Sequence, residues 1–339
     1  MKKAMSLLLV LCLIFTLTAC GQVNSETADT EGVTQEGSTV YELKLAHIQS
    51  AEHPNGQGAE YFARIVEEKT DGRVKVSVFP ANQLGTEQEI FDSIALGTVD
   101  FGIIGFGEAA KQVPEFLLLD APYLQADRDS WLEVMNGDAV KELESKLIDA
   151  VNVRVLGNFY YGARYMTTSN VEVHGPEDLA GHTIRVPDQD MYVNTINAMG
   201  ATATPMAFSE LFLALQQKVI DGQENPLATI YSNSFYEVQK YLIKTEHIIG
   251  GNCIYASEKT LNNLPEDLRE IVISCGDEAA QYISNLAFEA EDTCKEQLVE
   301  AGMILIEDVD KEAFMALTDS VYDELAEKID PELIAAIRE

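Results

Sequence analysis

Apolar positions along this chain recur with two periods, and the changes from one to the other mark out its elements. Tyr41-Glu-Leu43-Lys-Leu45-Ala46-His47 alternates like a strand, and polar Gln49–Pro54 follows as a loop. From Gly56 to Lys69 the period becomes helical, with Ala59, Phe62, Ala63 and Val66 on one face, until Thr70-Asp71-Gly72-Arg73 breaks it. Val74–Pro80 reads as a second strand. Thr86 and Glu89 have the spacing of a capping box and open a helix through Ile90, Phe91, Ile94 and Ala95, which Gly97 closes ahead of a strand over Val99–Ile104. Strand, helix, strand is the unit of a parallel sheet.

Helices follow over Asp129–Asp149, and the aromatic run Val151–Gly162 predicts a strand that crosses into a second lobe. There, Thr183-Ile184-Arg185-Val186-Pro187 is a short strand stopped by a proline, Ser209–Val219 is a helix, and Asp221–Pro226 is a polar segment. Helices over Leu227–Tyr241, a returning strand over His247–Ala256, a long helix over Pro265–Ala301, a strand over Met303–Ile306 and a helix over Lys311–Lys328 complete the pattern. Glu89–Asp100 and Glu210–Asp221 echo one another: glutamate, phenylalanine, a core position and the terminal aspartate keep their spacing, with a proline-ended strand upstream of each. The expectation is an α/β chain of two similar lobes, each with its own sheet, joined by crossing hinge strands that absorb bending. Lobe I spans residues 40–158 and 250–285, and lobe II residues 159–249 and 286–339.

Lys2 and Lys3, the apolar run Met5–Ala19 and Leu17-Thr18-Ala19-Cys20 have the parts of an export signal ending in a lipobox, in which Cys20 is acylated. A plain membrane-spanning anchor is the alternative. Residues 20–39 hold few apolar side chains and read as a solvated tether. The formal charge of −33 becomes more negative by two when Lys2 and Lys3 are removed, which disfavours nucleic acid as a partner. Cys253, Cys275 and Cys294 have no zinc-type spacing and read as buried free thiols.

The candidate chemistry lies in Leu179–Pro226. An arginine between two β-branched residues at a strand end places a fixed cation where open α/β sheets bind ligands, and its planar fork suits a carboxylate. Taken alone, Arg185 is either such a site or a surface arginine paired with one of the many acids. Arg164, taken alone, reads as structural and Phe208 as core, while the Asn225 amide either faces a ligand or closes a turn before Pro226.

Gly162-Ala163-Arg164, Leu179-Ala-Gly181, Ile184–Pro187, Pro205–Glu210, Leu213–Gln216, Asp221–Pro226 and Phe235–Lys240 carry a resemblance to a known family. From about Tyr41 to the last helix the chain resembles the substrate-binding proteins of tripartite ATP-independent periplasmic (TRAP) transporters, the DctP family. The resemblance implies a bilobed periplasmic-binding-protein fold with a long C-terminal helix, closing on a small carboxylate that is then delivered to membrane subunits. It implies that Arg185 forms the main salt bridge to the ligand, that Arg164 assists, and that Asn225 and Phe208 line the pocket. No cofactor or metal is implied. His47 and Glu87 lie at a strand end and a helix start on the side that faces a ligand across the cleft, and are otherwise an ordinary histidine and a capped helix start. Tyr161 either stacks on a sugar ring or packs at the hinge.

Sialic-acid binders of this family place a glutamate and an arginine where this chain has Gly105 and Glu108, and an asparagine where it has Ile48. Smaller sugar acids, hexuronates or aldonates, are therefore expected ahead of sialic acid and C4-dicarboxylates. A sensor component that presents ligand to a receptor is the rival binding role. An enzyme is the other rival, but the chain lacks GxGxxG, Walker, GxSxG and HExxH motifs.

Overall fold

The computed structural model describes residues 39–338, so the export signal, Cys20 and the tether lie outside the described residues, apart from Thr39. The first run is β1 (Tyr41–His47), α1 (Pro54–Lys69), β2 (Val74–Phe79), α2 (Glu87–Leu96) and β3 (Phe101–Gly105). It continues through α3 (Phe106–Ala110), α4 (Arg128–Met135) and α5 (Asp138–Val151) to the long strand β4 (Val153–Thr168). The second run is β5 (Thr183–Val186), α6 (Asp190–Ala198), β6 (Thr202–Pro205), α7 (Phe208–Gln216) and β7 (Gly222–Pro226). Then come α8 (Leu227–Ser232), β8 (Tyr241–Ile243), β9 (Ile249–Ser257), α9 (Glu258–Asn263), α10 (Glu266–Glu300), β10 (Ile304–Ile306), α11 (Lys311–Ala326) and α12 (Pro331–Arg338).

Local chemistry sets the helix ends. Pro54 occupies the first turn of α1 while the His53 ring accepts the Asn55 N–H, and α2 has the expected Thr86/Glu89 capping box and a left-handed Gly97. On α1 the expected apolar face is buried, with Ala59, Phe62 and Val66 fully covered.

Parallel pairing of β1 with β2 and β3 builds one group of strands, and parallel pairing of β5 with β6 and β7 builds a second. Between them β9 and β4 run antiparallel, giving the order β2-β1-β3-β9-β4-β7-β5-β6. The two expected sheets are thus joined through β4, which pairs in both. β4 runs six residues beyond the predicted end at Gly162, pairing first with β9 and then, from Arg164 to Thr168, with β7. A bulge at Tyr160/Gly162, with Gly162 at φ +131°, turns the strand between its two sets of partners.

The internal echo is real, but its register shifts by one strand. The structural counterpart of proline-ended β2 is β6, which ends at Pro205, and not β5. The two aspartates that end the echo do the same work. Asp100 Oδ2 accepts the Lys44 N–H at 2.8 Å in the middle of β1, and Asp221 Oδ2 accepts the Thr183 N–H at 2.8 Å at the start of β5. Each ties the end of an α-helical crossover to the neighbouring parallel strand.

Other departures have clear causes. Asp221–Pro226, expected as a polar segment, contains strand β7, buried at every position from Gly222 to Pro226. The helical reading of Leu227–Tyr241 holds for α8 and a 3-10 turn over Phe235–Glu237, after which Tyr241–Ile243 forms β8, beside β4 and β10. Helix α10, 35 residues long, lies along β4, where Gly276 permits the approach: a Cβ there would stand 2.3 Å from the Leu156 Cβ. Cys253, Cys275 and Cys294 are buried and free.

Candidate ligand-binding site

Two cavities that share a wall lie at the carboxyl ends of the parallel strands, where such sheets place their ligands. The larger, about 180 Å³, is bordered by α2, β5 and the start of α7, and the smaller, about 40 Å³, reaches down to β4, β7 and β9. Ile48, Glu87, Arg185, Pro187, Gln189 and Phe208 line both.

Arg185, the third residue of β5, is 2% exposed and turns inward, not toward an outer face. Its Nε and Nη2 donate to the Met206 carbonyl at 3.0 and 2.6 Å, and its guanidinium carbon stands 5.8 Å from the Phe208 ring centre. Among the described residues no carboxylate pairs with it. Burial pulls its pKa down to about 10, and nearby Arg164 pulls the same way against Glu224. It still carries its charge at neutral pH. A buried cation held by one carbonyl keeps part of its desolvation penalty uncompensated.

Arg164 is also buried, but it is not free in the same sense. Its Nε and Nη2 grip the Glu224 carboxylate, with the Nη2–Oε1 contact at 2.9 Å, and Nη2 also donates to the Glu224 carbonyl and to Asn225 Oδ1. Burial opposes the Glu224 charge, yet Arg164 and a hydrogen bond with His247 hold that carboxyl below its usual range. Burial also opposes the charge of Arg164, and Glu224 overcomes it and raises the guanidinium pKa. Asn225 sits on a strand and closes no turn, donating to Gln223 Oε1 at 2.5 Å while lining the smaller cavity. Phe208 opens α7 and presents its ring to both cavities.

Glu87, first residue of α2, takes a hydrogen bond from the Gly105 N–H. Burial, with Glu108 nearby, pushes its pKa up to about 7. Tyr161 lines the smaller cavity, its hydroxyl accepting from Gln49 Nε2 at 2.8 Å. His47 departs from expectation: it is fully buried at the end of β1, lines neither cavity, and neither ring nitrogen has a partner. Burial lowers its pKa to about 4. The site is instead lined by the next two residues, Ile48 and Gln49.

Gln49, Gln189, Asn252 and Lys111 also line the cavities and were not singled out from sequence. Gln189 lies two residues past the proline that ends the arginine strand, a position that could have flagged it. Asn252 sits mid-strand on β9 and carries no such signal. Lys111 is neutralised by Glu108 at 3.0 Å. Among the described residues no cluster of His, Cys, Asp or Glu could hold a metal.

Residues 45–329 match the bacterial extracellular solute-binding protein family 7, DctP. The chain belongs to this family. A solute-binding protein of Roseobacter denitrificans is 36% identical over 290 residues, 85% of this chain and 88% of that one. Its crystal structure as a TRAP periplasmic solute-binding protein with bound L-galactonate superposes with a TM-score of 0.83, at 35% identity, covering 88% of this chain and 99% of that one. A TRAP protein of Chromohalobacter salexigens with bound D-glucuronate gives a TM-score of 0.83 at 31% identity, covering 87% and 97%. The sialic acid-binding periplasmic protein of Vibrio cholerae is 30% identical, covering 96% of each chain. The α/β architecture with its long C-terminal helix is thus that of TRAP solute-binding proteins, which serve transporters by binding solute outside the cytoplasm.

Proposed function

We propose that this DctP-family protein captures a small monocarboxylate sugar acid, a hexuronate or aldonate, by a salt bridge from Arg185. It then hands the ligand to the TRAP membrane subunits. The observation that carries the reading is Arg185 itself, a buried guanidinium on the wall of both cavities with no carboxylate among the described residues. Further features support it. Of the cations on the walls, Arg164 is matched by Glu224 and Lys111 by Glu108, so one positive charge is left for one carboxylate. With Arg164 and Lys111 so matched, no cation on the walls is left for a second acid group, which weighs against dicarboxylates. The cavity volumes fall below the roughly 300–1,000 Å³ of drug-sized sites, which weighs against a nine-carbon sialic acid. Gln49, Gln189 and Asn252 supply amides suited to hydroxyl groups.

In this reading lobe I is 40–158 with 250–285, lobe II is 159–249 with 286–339, and β4 and β9 are the hinge. Arg164, Asn225, Phe208, Glu87 and Tyr161 line the closed site around Arg185. The protein is exported and held to the outer face of the membrane by a lipid on Cys20. Radiolabelled palmitate incorporated into the wild-type chain but not into Cys20→Ala tests the anchor. A thermal-shift panel of hexuronates, aldonates, dicarboxylates and neutral sugars, followed by calorimetry, tests the ligand class. A ligand at a hundred times its Kd stabilises by about 2.7 kcal/mol, an easily read shift. Shifts with neutral sugars alone would overturn the arginine argument.

A further inference from the structure

Beside Arg185, the least expected feature of the site is how Tyr161 is held. Its hydroxyl is 2.7 Å from Thr229 Oγ1 on α8 and accepts from Gln49 Nε2 at 2.8 Å. Thr229 Oγ1 in turn lies 3.1 Å from His53 Nε2, and His53 Nδ1 accepts the Asn55 N–H at 3.0 Å. Gln49, His53, Tyr161 and Thr229 are all buried.

Counting protons gives this chain a direction. His53 Nδ1 takes the Asn55 N–H, so a neutral ring carries its proton on Nε2 and donates it to Thr229. Burial holds the ring neutral, with its pKa lowered to about 3. Thr229 Oγ1, having accepted from His53, has one proton to give, and Tyr161 is its remaining partner among the described residues. The phenol oxygen then accepts from both Gln49 and Thr229. Its own proton has no taker within the network, and Tyr161 forms part of the wall of the smaller cavity beside Arg164 and Arg185. The alternative, Tyr161 donating to Thr229, would strand a buried threonine proton, which costs more than it gains.

We propose that Tyr161 is a hydrogen-bond donor to the bound sugar acid, and that His53 and Thr229 are positioning residues whose directed relay keeps its proton facing the ligand. This rests on the sugar-acid reading above. It replaces stacking by the Tyr161 ring with recognition of a ligand oxygen by its hydroxyl. It also makes the loop after β1 and the start of α8 cooperate in one contact, through residues assigned to different lobes.

Calorimetry with D-glucuronate and L-galactonate tests it on the wild type, Tyr161→Phe, Thr229→Val, Thr229→Ser and the Tyr161→Phe/Thr229→Val pair. Each of the first two variants is expected to lose roughly tenfold in affinity, as for one directed hydrogen bond, with the pair losing no more than either alone. Thr229→Ser, which keeps the hydroxyl, should bind as the wild type does. Multiplying losses in the pair, or wild-type affinity in Thr229→Val, would overturn the relay. A ligand-free reading comes from 15N NMR of the His53 ring: a neutral Nε2–H tautomer upholds the direction of the relay and an Nδ1–H tautomer overturns it. If the wild type binds neither acid, the ligand reading above is what fails, and the tautomer still decides the relay.

Discussion

Replacing Arg185 with alanine is the perturbation with the largest expected effect on binding. The side chain is 2% exposed and commits Nε and one Nη2 proton to the Met206 carbonyl, which leaves Nη1 and the rest of the fork for a ligand. Losing one partner of a desolvated charge pair costs about 2–5 kcal/mol. At about 1.4 kcal/mol per tenfold, that weakens binding by roughly thirtyfold to several thousandfold, and a loss on the order of a hundredfold, inside that range, is expected. Ligand-free stability should change far less, because two effects oppose. The Met206 carbonyl loses its donors, at about 1–3 kcal/mol, while the penalty of burying an unpaired cation disappears. Arg185→Lys keeps the charge without the planar fork and should fall between the two. Calorimetry with a sugar acid that the wild type binds, alongside melting of the ligand-free proteins, separates the effects. A folded Arg185→Ala protein with near-wild-type affinity would refute the reasoning. The formal charge of −33 is no obstacle, because surface charges are screened over about 8 Å at physiological ionic strength while the arginine acts at contact.

Glu224→Gln strips Arg164 of its buried partner and should destabilise the ligand-free protein by about 3–5 kcal/mol in urea melts. Glu87 has its pKa raised from 4.5 to about 7, so the folded state keeps a proton that the unfolded chain gives up. Its contribution is thus fully present below pH 4.5 and lost as pH rises to about 7, and Glu87→Gln should flatten that decline, gaining on the order of 2–3 kcal/mol near pH 8. His47→Leu removes two buried, unpartnered nitrogens from a residue outside the cavity lining, so it should raise the melting temperature without changing affinity. Its gain should grow as pH falls from 6.5 towards about 4, because the native state resists protonating this ring.

Where polarity followed a regular period, the chain was readable without its fold. The capping box at Thr86/Glu89, the buried face of α1, the long C-terminal helix and the echo between the two runs depend on contacts within a few residues, and local spacing encodes them. Arg185 stood out for a similar reason, as a charge where a strand calls for an apolar or β-branched side chain. Other features depend on partners far away in the chain. Gln223-Glu224-Asn225 reads only as a polar segment because nothing local favours a strand, yet it is buried between β4 and β5, where its polar groups find partners in Thr167, Arg164 and His247. That Arg164 is spent on Glu224 while Arg185 is left open cannot be read from two arginines 21 residues apart, since both lie at strand positions in a chain rich in acids. His47 and Gln49 lie two residues apart, yet one is sealed inside and the other reaches Tyr161, because the loop after β1 turns between them. Periodicity along a chain records which face of each element is buried. Which buried charge finds a partner depends on residues brought together from distant positions, and here that choice leaves the Arg185 guanidinium without a carboxylate among the described residues.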